Sequence, residues 1–171
     1  MTNLKKYIRS ILDFPKKGIL FRDITTLLKD KKAFKEAIDL LVKKYKNKKI
    51  DKIVAPEARG FILAGALSAR LNCGFVPVRK RGKLPAKTYS VTYSLEYGQD
   101  TLEIHQDALS KGERVLILDD LLATGGTAQA LIELVKKSEA KIIGLTFLIE
   151  LTDLKGREKL KNYPVYSLIK Y

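Results

Sequence analysis

The stretch "VLILDDLLATGGTAQALIEL", Val115 to Leu134, decides the fold because four features follow one another in it. They are an apolar run, two adjacent acids, a loop of small residues and an apolar pattern of helical period. The apolar run predicts a buried strand, and the last pattern predicts a helix. Strands that alternate with helices form a parallel sheet, and ligands bind beyond the carboxyl ends of its strands. The loop after Asp120 is therefore the first candidate site.

The rest of the chain continues this alternation, without an internal repeat or a linker. Short apolar runs predict strands at "KIVA", "GFVPV" and "KIIGLTFLIEL", and a helical pattern fills "FILAGALSARL" after the turn "PEARG". A longer helix with a regular apolar face begins after Asp30, a residue type that caps helix N-termini. We therefore predict a single α/β domain over residues 1–171, with a parallel sheet flanked by helices.

Two segments are predicted to lie outside this regular core. Leu4, Ile8, Ile11 and Leu12 recur at helical spacing, which predicts a first helix, and "DFPKKGILFRDIT" follows it as a loop. "TYSVTYSLEYG" and "DTLEIH" are rich in β-branched and aromatic residues with partial alternation. They predict a hairpin that projects between the regular units.

Composition limits the classes of function. The chain has 171 residues, of which 46% are hydrophobic, and no run approaches the roughly 20 apolar residues that span a bilayer, so we expect no membrane partner. The single cysteine, Cys73, cannot form an internal disulfide, which fits the cytoplasm and a role in core packing. The lone His105 has no Cys or His companions at metal-ligand spacing, so we assign it no role.

The net charge of +14 favours polyanions, anionic membranes or phosphorylated small molecules as partners. Many lysines fall at the ends and on the solvent side of predicted helices, where they keep the surface hydrated. The cluster "RKRGKLP", Arg79 to Pro85, instead places four cations in a loop directly after an apolar strand. That position suits a phosphate site.

The loop from Thr124 to Thr127 has the properties of a monophosphate site. Its small residues open a helix, where free backbone N–H groups and the helix dipole attract an anion. The lysine of nucleotide-triphosphate loops and the G-x-G-x-x-G of dinucleotide sites are both absent from the sequence. Asp119 and Asp120 precede the loop at a reach that suits the two hydroxyls of a ribose. The same acids also suit direct binding of Mg²⁺, or simply the end of a strand.

These motifs resemble those of a known family. "VLILDDLLATGGT" closely resembles the phosphoribosyl-pyrophosphate motif of the type I phosphoribosyltransferases. "FPKKGILFRDIT", "PEARGF", "RKRGKLP", "YSLEYGQDTLEIHQDAL" and "LIELTDLKGREKL" resemble the members that act on adenine, so the resemblance covers nearly the whole chain. It implies a type I fold with a small hood, and a purine salvage reaction with Mg²⁺ as cofactor. In that reaction adenine and phosphoribosyl pyrophosphate give AMP and pyrophosphate.

The resemblance also implies roles for the residues that bind the substrates. Asp119 and Asp120 would hold the ribose hydroxyls. The backbone of Leu20 and Arg22 would read the edge of adenine, while Phe21 stacks on its ring. The loop for the 5-phosphate would consist of Ala123, Thr124, Gly125, Gly126 and Thr127.

The remaining implied roles concern the leaving group and the proton. "PEARGF" implies a cis peptide bond between Glu57 and Ala58, in a turn whose diphosphate ligand is met by Arg59, Arg79 and Lys83. Glu96, on the hairpin with Tyr97, would handle the proton at a ring nitrogen of adenine. Mg²⁺ would be held mainly by the substrate rather than by side chains. In the family the segment matching "RKRGKLP" contributes to the neighbouring subunit's site, which implies a homodimer.

Two other functions remain open at this point. A regulatory protein that keeps the phosphoribosyl-pyrophosphate loop but binds nucleic acid would suit the net charge of +14. Against it, no helix-turn-helix pattern precedes the fold, so we do not expect a nucleic-acid partner. An enzyme for xanthine or hypoxanthine would share the sugar loop and differ only in the base pocket.

Overall fold

The computed structural model describes residues 3–94 and 98–171, and its centre is a seven-stranded sheet. The strands are β1 (Arg9–Leu12), β2 (Leu20–Asp23), β3 (Lys52–Pro56), β4 (Gly74–Lys80), β5 (Thr88–Ser94), β6 (Gln99–His105), β7 (Arg114–Leu122), β8 (Lys141–Glu150) and β9 (Val165–Lys170). A separate two-stranded sheet pairs β1 with β2. The order in the large sheet is β5-β6-β4-β3-β7-β8-β9. In it β4, β3, β7, β8 and β9 pair in parallel, and β6 and β5 extend the β4 edge through antiparallel pairs. This arrangement confirms the predicted α/β fold.

Helices cover both faces of the sheet. They are α1 (Thr25–Lys29), α2 (Lys31–Tyr45), α3 (Arg59–Leu71) and α4 (Gly126–Lys137), with short 3-10 helices η1 (Leu4–Tyr7), η2 (Thr152–Leu154) and η3 (Gly156–Leu160). The start of α2 is as predicted, because the Asp30 side chain accepts the N–H groups of Lys32 and Ala33 at 3.0 and 2.9 Å. None of the described helices is long and apolar enough to cross a membrane.

The hydrophobic core forms two layers, one on each side of the sheet. Successive residues of β7 alternate between them, as a pleated strand requires. Leu116 and Leu118 pack with α2 and α3, whereas Val115 and Ile117 pack with α4. Because both faces of β7 are buried, its carboxyl end is held rigidly where the predicted site begins.

The prediction of a first helix from Leu4 to Leu12 was wrong. Only the short turn η1 is helical, because Ile8 already has extended dihedral angles and the residues after it form β1. β1 pairs with β2 from Arg9 opposite Asp23 to Leu12 opposite Leu20, within the segment predicted as a loop. The apolar spacing was misleading because Leu12 is 70% exposed and does not belong to a buried helical face. We call this two-stranded sheet, residues 9–23, the hood.

The hairpin was predicted correctly, but its predicted position outside the core was wrong, because β6 pairs with β4 in the large sheet and Val91, Leu102 and Ile104 are buried in the core. β5 pairs with β6 from Thr88 opposite His105 to Ser94 opposite Gln99. The predicted Glu96 and Tyr97 lie outside the residues that the structure describes. The last strand, β9, had no counterpart in the prediction, although it completes the parallel sheet beside β8.

Candidate active site

Two loops lie side by side where β3 and β7 end. These strands are parallel neighbours, with Lys52 opposite Val115, so their carboxyl ends share one edge of the sheet. β3 leads into the turn at Glu57 and Ala58, whose peptide bond is cis as expected. β7 leads into the loop before α4. The adjacent ends of these strands bring the two predicted motifs into one cleft.

The acid pair is buried at the entrance of the second loop. Asp119 and Asp120 are 9% and 5% exposed, and Arg59 Nε lies 2.7 Å from Asp120 Oδ2. Burial, and next the charge of Asp120, raise the pKa of Asp119 well above its usual range. Burial also raises the pKa of Asp120, but the Arg59 guanidinium opposes that shift. The pair thus offers carboxyl oxygens for hydroxyl hydrogen bonds, with one cation beside them.

The loop itself presents backbone rather than long side chains. Gly125 has a φ of 84°, a left-handed conformation that favours glycine. Among the described residues no side chain caps the start of α4, so the first N–H groups of this helix remain available to an anion. A cavity of about 190 Å³ lies here, lined by Arg59, both acids, residues 121–125, Thr127 and Ala128.

The turn after β3 gathers cations around one carboxylate. Glu57 accepts the backbone N–H of Lys80 at 2.8 Å and the Arg79 Nη2 group at 2.9 Å, and Lys83 Nζ lies 3.9 Å from it. Burial alone would raise the pKa of Glu57, but the Lys80 N–H and the Arg79 guanidinium hold it below its usual value. A cavity of about 370 Å³ adjoins this turn, lined among others by Glu57, Arg59 and Lys80. The cations on its wall are Arg59 and Lys80, and its carboxyl groups are those of Glu57, Asp100, Asp119 and Asp120.

The largest of these three cavities, about 900 Å³, lies between the hood and the loop before α4. Leu20, Phe21 and Arg22 of β2 line it on the hood side. The Phe21 ring meets Phe14 edge-to-face at 5.1 Å between centroids, and the Arg59 guanidinium lies 5.2 Å from its centroid. An apolar wall with an aromatic ring suits a flat heterocycle.

The carboxylates near the cleft suit a metal ion that enters the site already bound to a substrate. Within residues 3–94 and 98–171 no three His, Cys, Asp or Glu side chains form a metal-binding group. Glu57 is occupied by its cations, and Asp100 is paired with Lys80 at 2.9 Å. The residues present therefore fit Mg²⁺ carried on a diphosphate better than Mg²⁺ held by a cage of side chains.

Comparisons with known proteins agree with this geometry. A family model for the phosphoribosyl transferase domain matches residues 23–171. The adenine phosphoribosyltransferase of Brachyspira hyodysenteriae is 61% identical over 98% of this chain and 99% of its own. The crystal structure of adenine phosphoribosyltransferase from Thermoanaerobacter pseudethanolicus has a TM-score of 0.95 at 56% identity, covering 98% of each chain. This chain belongs to the adenine phosphoribosyltransferase family.

A more distant member of the family was solved with ligands. The adenine phosphoribosyltransferase of Trypanosoma brucei, in complex with AMP, pyrophosphate and ribose-5-phosphate, has a TM-score of 0.91 at 25% identity. The match covers 98% of this chain and 77% of that one. The shared fold therefore extends over nearly all of this chain even where the sequences have diverged.

The family fold brings most of the predicted site residues together. Arg59, both acids and the predicted loop residues except Gly126 line one cavity, and Gly126 and the three hood residues line the cavity beside it. Arg79 and Lys83 meet at Glu57, which lines the third cavity. The assignment of Glu96 lies outside the described residues and stays a prediction.

Several residues around the cleft were missed from the sequence. Tyr93 and Asp100 face each other across the hairpin and line the cavity of about 370 Å³ beside the Glu57 turn. The alternating pattern of β5 and β6 was the available signal, because pairing these strands in the correct register places the two residues opposite each other. Tyr171 lines the large cavity, and the Arg22 guanidinium lies 3.9 Å from its ring centroid. That contact joins distant parts of the chain, and local sequence carries no signal for it.

Proposed function

We propose that this chain transfers the 5-phosphoribosyl group from phosphoribosyl pyrophosphate to adenine, giving AMP and pyrophosphate in purine salvage. The observation that carries the proposal is the order of the three cavities. The base-side cavity of about 900 Å³ and the phosphate cavity of about 190 Å³ share Leu121, Ala123 and Thr124. The phosphate cavity and the diphosphate-side cavity of about 370 Å³ share Arg59 and both acids, and Thr127 lines all three. With the ribose phosphate in the middle cavity, ribose C1 would lie between the base and the diphosphate, the two groups that exchange on it.

The reaction breaks the bond between ribose C1 and a pyrophosphate oxygen and forms one between C1 and N9 of adenine, which loses a proton. Positive charge develops on the ribose and negative charge on the leaving group. Arg59, Arg79 and Lys83 suit the leaving group, with Lys80 beside them. Asp119 and Asp120 would accept hydrogen bonds from the ribose hydroxyls, and the α4 loop would bind the 5-phosphate.

Leu20, Phe21 and Arg22 would form the adenine pocket. Phe21 would stack on the base, while the backbone of its two neighbours reads the base edge. Glu96 would handle the proton at the ring nitrogen. What supports this role is the hairpin stem, since Tyr93 lines the diphosphate-side cavity and its hydroxyl lies 3.4 Å from Thr127 Oγ1.

Mg²⁺ would enter with phosphoribosyl pyrophosphate and neutralise charge on the diphosphate. The cations around Glu57 would meet the same group from the protein side. We further propose a homodimer, in which the exposed loop after β4 reaches the neighbouring site, and a cytoplasmic location. The free Cys73 is consistent with that compartment. Sedimentation analysis tests the dimer, and a monomer at assay concentration would contradict it.

The direct test is product formation by the purified chain. With phosphoribosyl pyrophosphate and Mg²⁺, adenine should yield AMP and an equal amount of pyrophosphate. Hypoxanthine and xanthine serve as alternative bases in parallel. Faster turnover of either would reassign the base specificity. Absence of nucleotide product with all three, together with tight salt-sensitive binding to nucleic acid, would favour the regulatory alternative.

A further inference from the structure

The segment after β8 touches the phosphate loop without any side chain between them. A Cβ built on Gly156 would lie 2.1 Å from the carbonyl oxygen of Ala123 and 3.0 Å from the nitrogen of Gly125. Conversely, a Cβ on Gly125 would lie 2.8 Å from the carbonyl oxygen of Gly156. Gly156 does not have a left-handed φ, so space alone excludes a larger residue there.

Gly156 is anchored to the sheet by the residue that follows it. The Arg157 guanidinium binds Glu150 with both ends, Nε to Oε1 at 2.8 Å and Nη2 to Oε2 at 2.5 Å. Arg157 Nη1 also donates to the Val165 carbonyl at 2.8 Å. Glu150 is 4% exposed at the end of β8, and Val165 begins β9. The Gly156 backbone is therefore fixed relative to two strands of the core.

The contact fixes the direction of one peptide group in the phosphate loop. In a planar trans peptide the C=O and N–H groups point in opposite directions. Because the Ala123 carbonyl is directed at Gly156, the N–H of Thr124 points away from it. Thr124 lines both the phosphate and the base-side cavities. The direction of its N–H group therefore determines whether that group can donate a hydrogen bond to a bound anion.

We propose that Gly156 is a positioning residue. With Arg157 as its anchor, it sets the position and orientation of the 5-phosphate loop, residues 123–127. This inference rests on the proposed function, because it assumes that the loop binds a phosphate. It assigns to "LKGREKL" a task in sugar-phosphate affinity, separate from the base pocket. A shift of the loop by about 1 Å can cost on the order of 100-fold in a positioned reaction.

The test compares Gly156→Ala with Gly65→Ala. Gly65 lies within α3, and a Cβ built on it meets nothing within 4 Å, so it controls for the added methyl group. Gly156→Ala should raise the Michaelis constant for phosphoribosyl pyrophosphate by about tenfold or more, and that for adenine by less than about threefold. Gly65→Ala should change neither. A purely structural role for Gly156 would lower the melting temperature and the active fraction but leave both Michaelis constants unchanged.

A second measurement separates this inference from the proposed reaction. Calorimetric binding of ribose-5-phosphate requires no base and no turnover, and its affinity should fall by about tenfold in Gly156→Ala. If the wild-type chain binds ribose-5-phosphate but makes no AMP, the proposed reaction fails while this comparison still decides the inference. Unchanged affinity in a folded Gly156→Ala variant would overturn it. If that variant does not fold, Arg157→Lys is the deciding variant. Loss of the bidentate contact with Glu150 should weaken ribose-5-phosphate binding. Unchanged binding would overturn the proposal.

Discussion

The proposed phosphate half and the proposed base half of the cleft are built differently. Apart from Arg59, the phosphate half is one continuous piece of chain, residues 119–127, at the end of a mostly buried strand. The base half combines residues 18–22 of the hood region with Leu151, Asp153, Leu154 and Tyr171, and it is largely apolar. We propose that one half binds its ligand through backbone N–H groups and buried charge, and the other through shape and an aromatic ring. Changes in the two halves should therefore affect different substrates.

The largest expected effect concerns Glu96, the residue that we propose handles the proton at the ring nitrogen of adenine. Glu96→Gln keeps the size of the side chain but removes the base, so single-turnover rates at saturating substrates should fall by roughly 10²- to 10⁴-fold. Substrate binding should persist. Glu133→Gln, at an exposed position of α4, is the matched control. A Glu96→Gln rate within about fivefold of wild type would remove Glu96 from the catalytic residues.

In the phosphate half, Asp120→Asn should act on the sugar substrate alone. A hydrogen bond to a charged acceptor contributes about 1.5–3 kcal/mol, so the Michaelis constant for phosphoribosyl pyrophosphate should rise roughly 10- to 150-fold. The constant for adenine should change little in steady-state assays. Asp107→Asn, an exposed change outside the cleft, provides the baseline. Equal losses for both substrates would contradict the division into halves.

In the base half, Phe21→Leu should have the opposite selectivity. Loss of aromatic stacking costs about 0.5–1.5 kcal/mol, which predicts a rise of roughly 2- to 10-fold in the Michaelis constant for adenine. Phe14→Leu is the control, because Phe14 touches the Phe21 ring edge-on and is not among the residues that line the large cavity. A larger effect on phosphoribosyl pyrophosphate than on adenine would show that Phe21 serves the other half.

The smallest effect concerns the hood that carries the base half. The hydrogen bond from Arg9, followed by that from the Thr25 N–H, lowers the pKa of Asp23 from 3.8 to about 2. A carboxyl pKa that is lower in the folded state adds stability above its unfolded value, and this stability is lost as pH falls through the folded value. Thermal unfolding between pH 5 and pH 2 should therefore show a shallower acid dependence in Asp23→Asn than in wild type. Parallel curves would rule out this contribution.

The two halves also differ in how far sequence alone predicts them. The phosphate half could be predicted because strand, acids, loop and helix are consecutive, so local patterns suffice. The base half depends on the hood, where Leu12 and Leu20 pair as strands and the helical spacing of Leu4 to Leu12 was misleading. Tyr171 and Gly156 reach the cleft only through the pairing of β8 with β9, a long-range register that local periodicity does not encode.

A crystal structure of the chain with AMP is the most direct test of this division, because one AMP molecule would occupy both halves. The account predicts phosphate oxygens within about 2.7–3.2 Å of the backbone N–H groups of residues 124–127. The ribose hydroxyls should lie on Asp119 and Asp120, and the adenine ring should stack on Phe21. An AMP phosphate bound among Arg79 and Lys83 instead, or a base outside the cavity beneath the hood, would contradict the account.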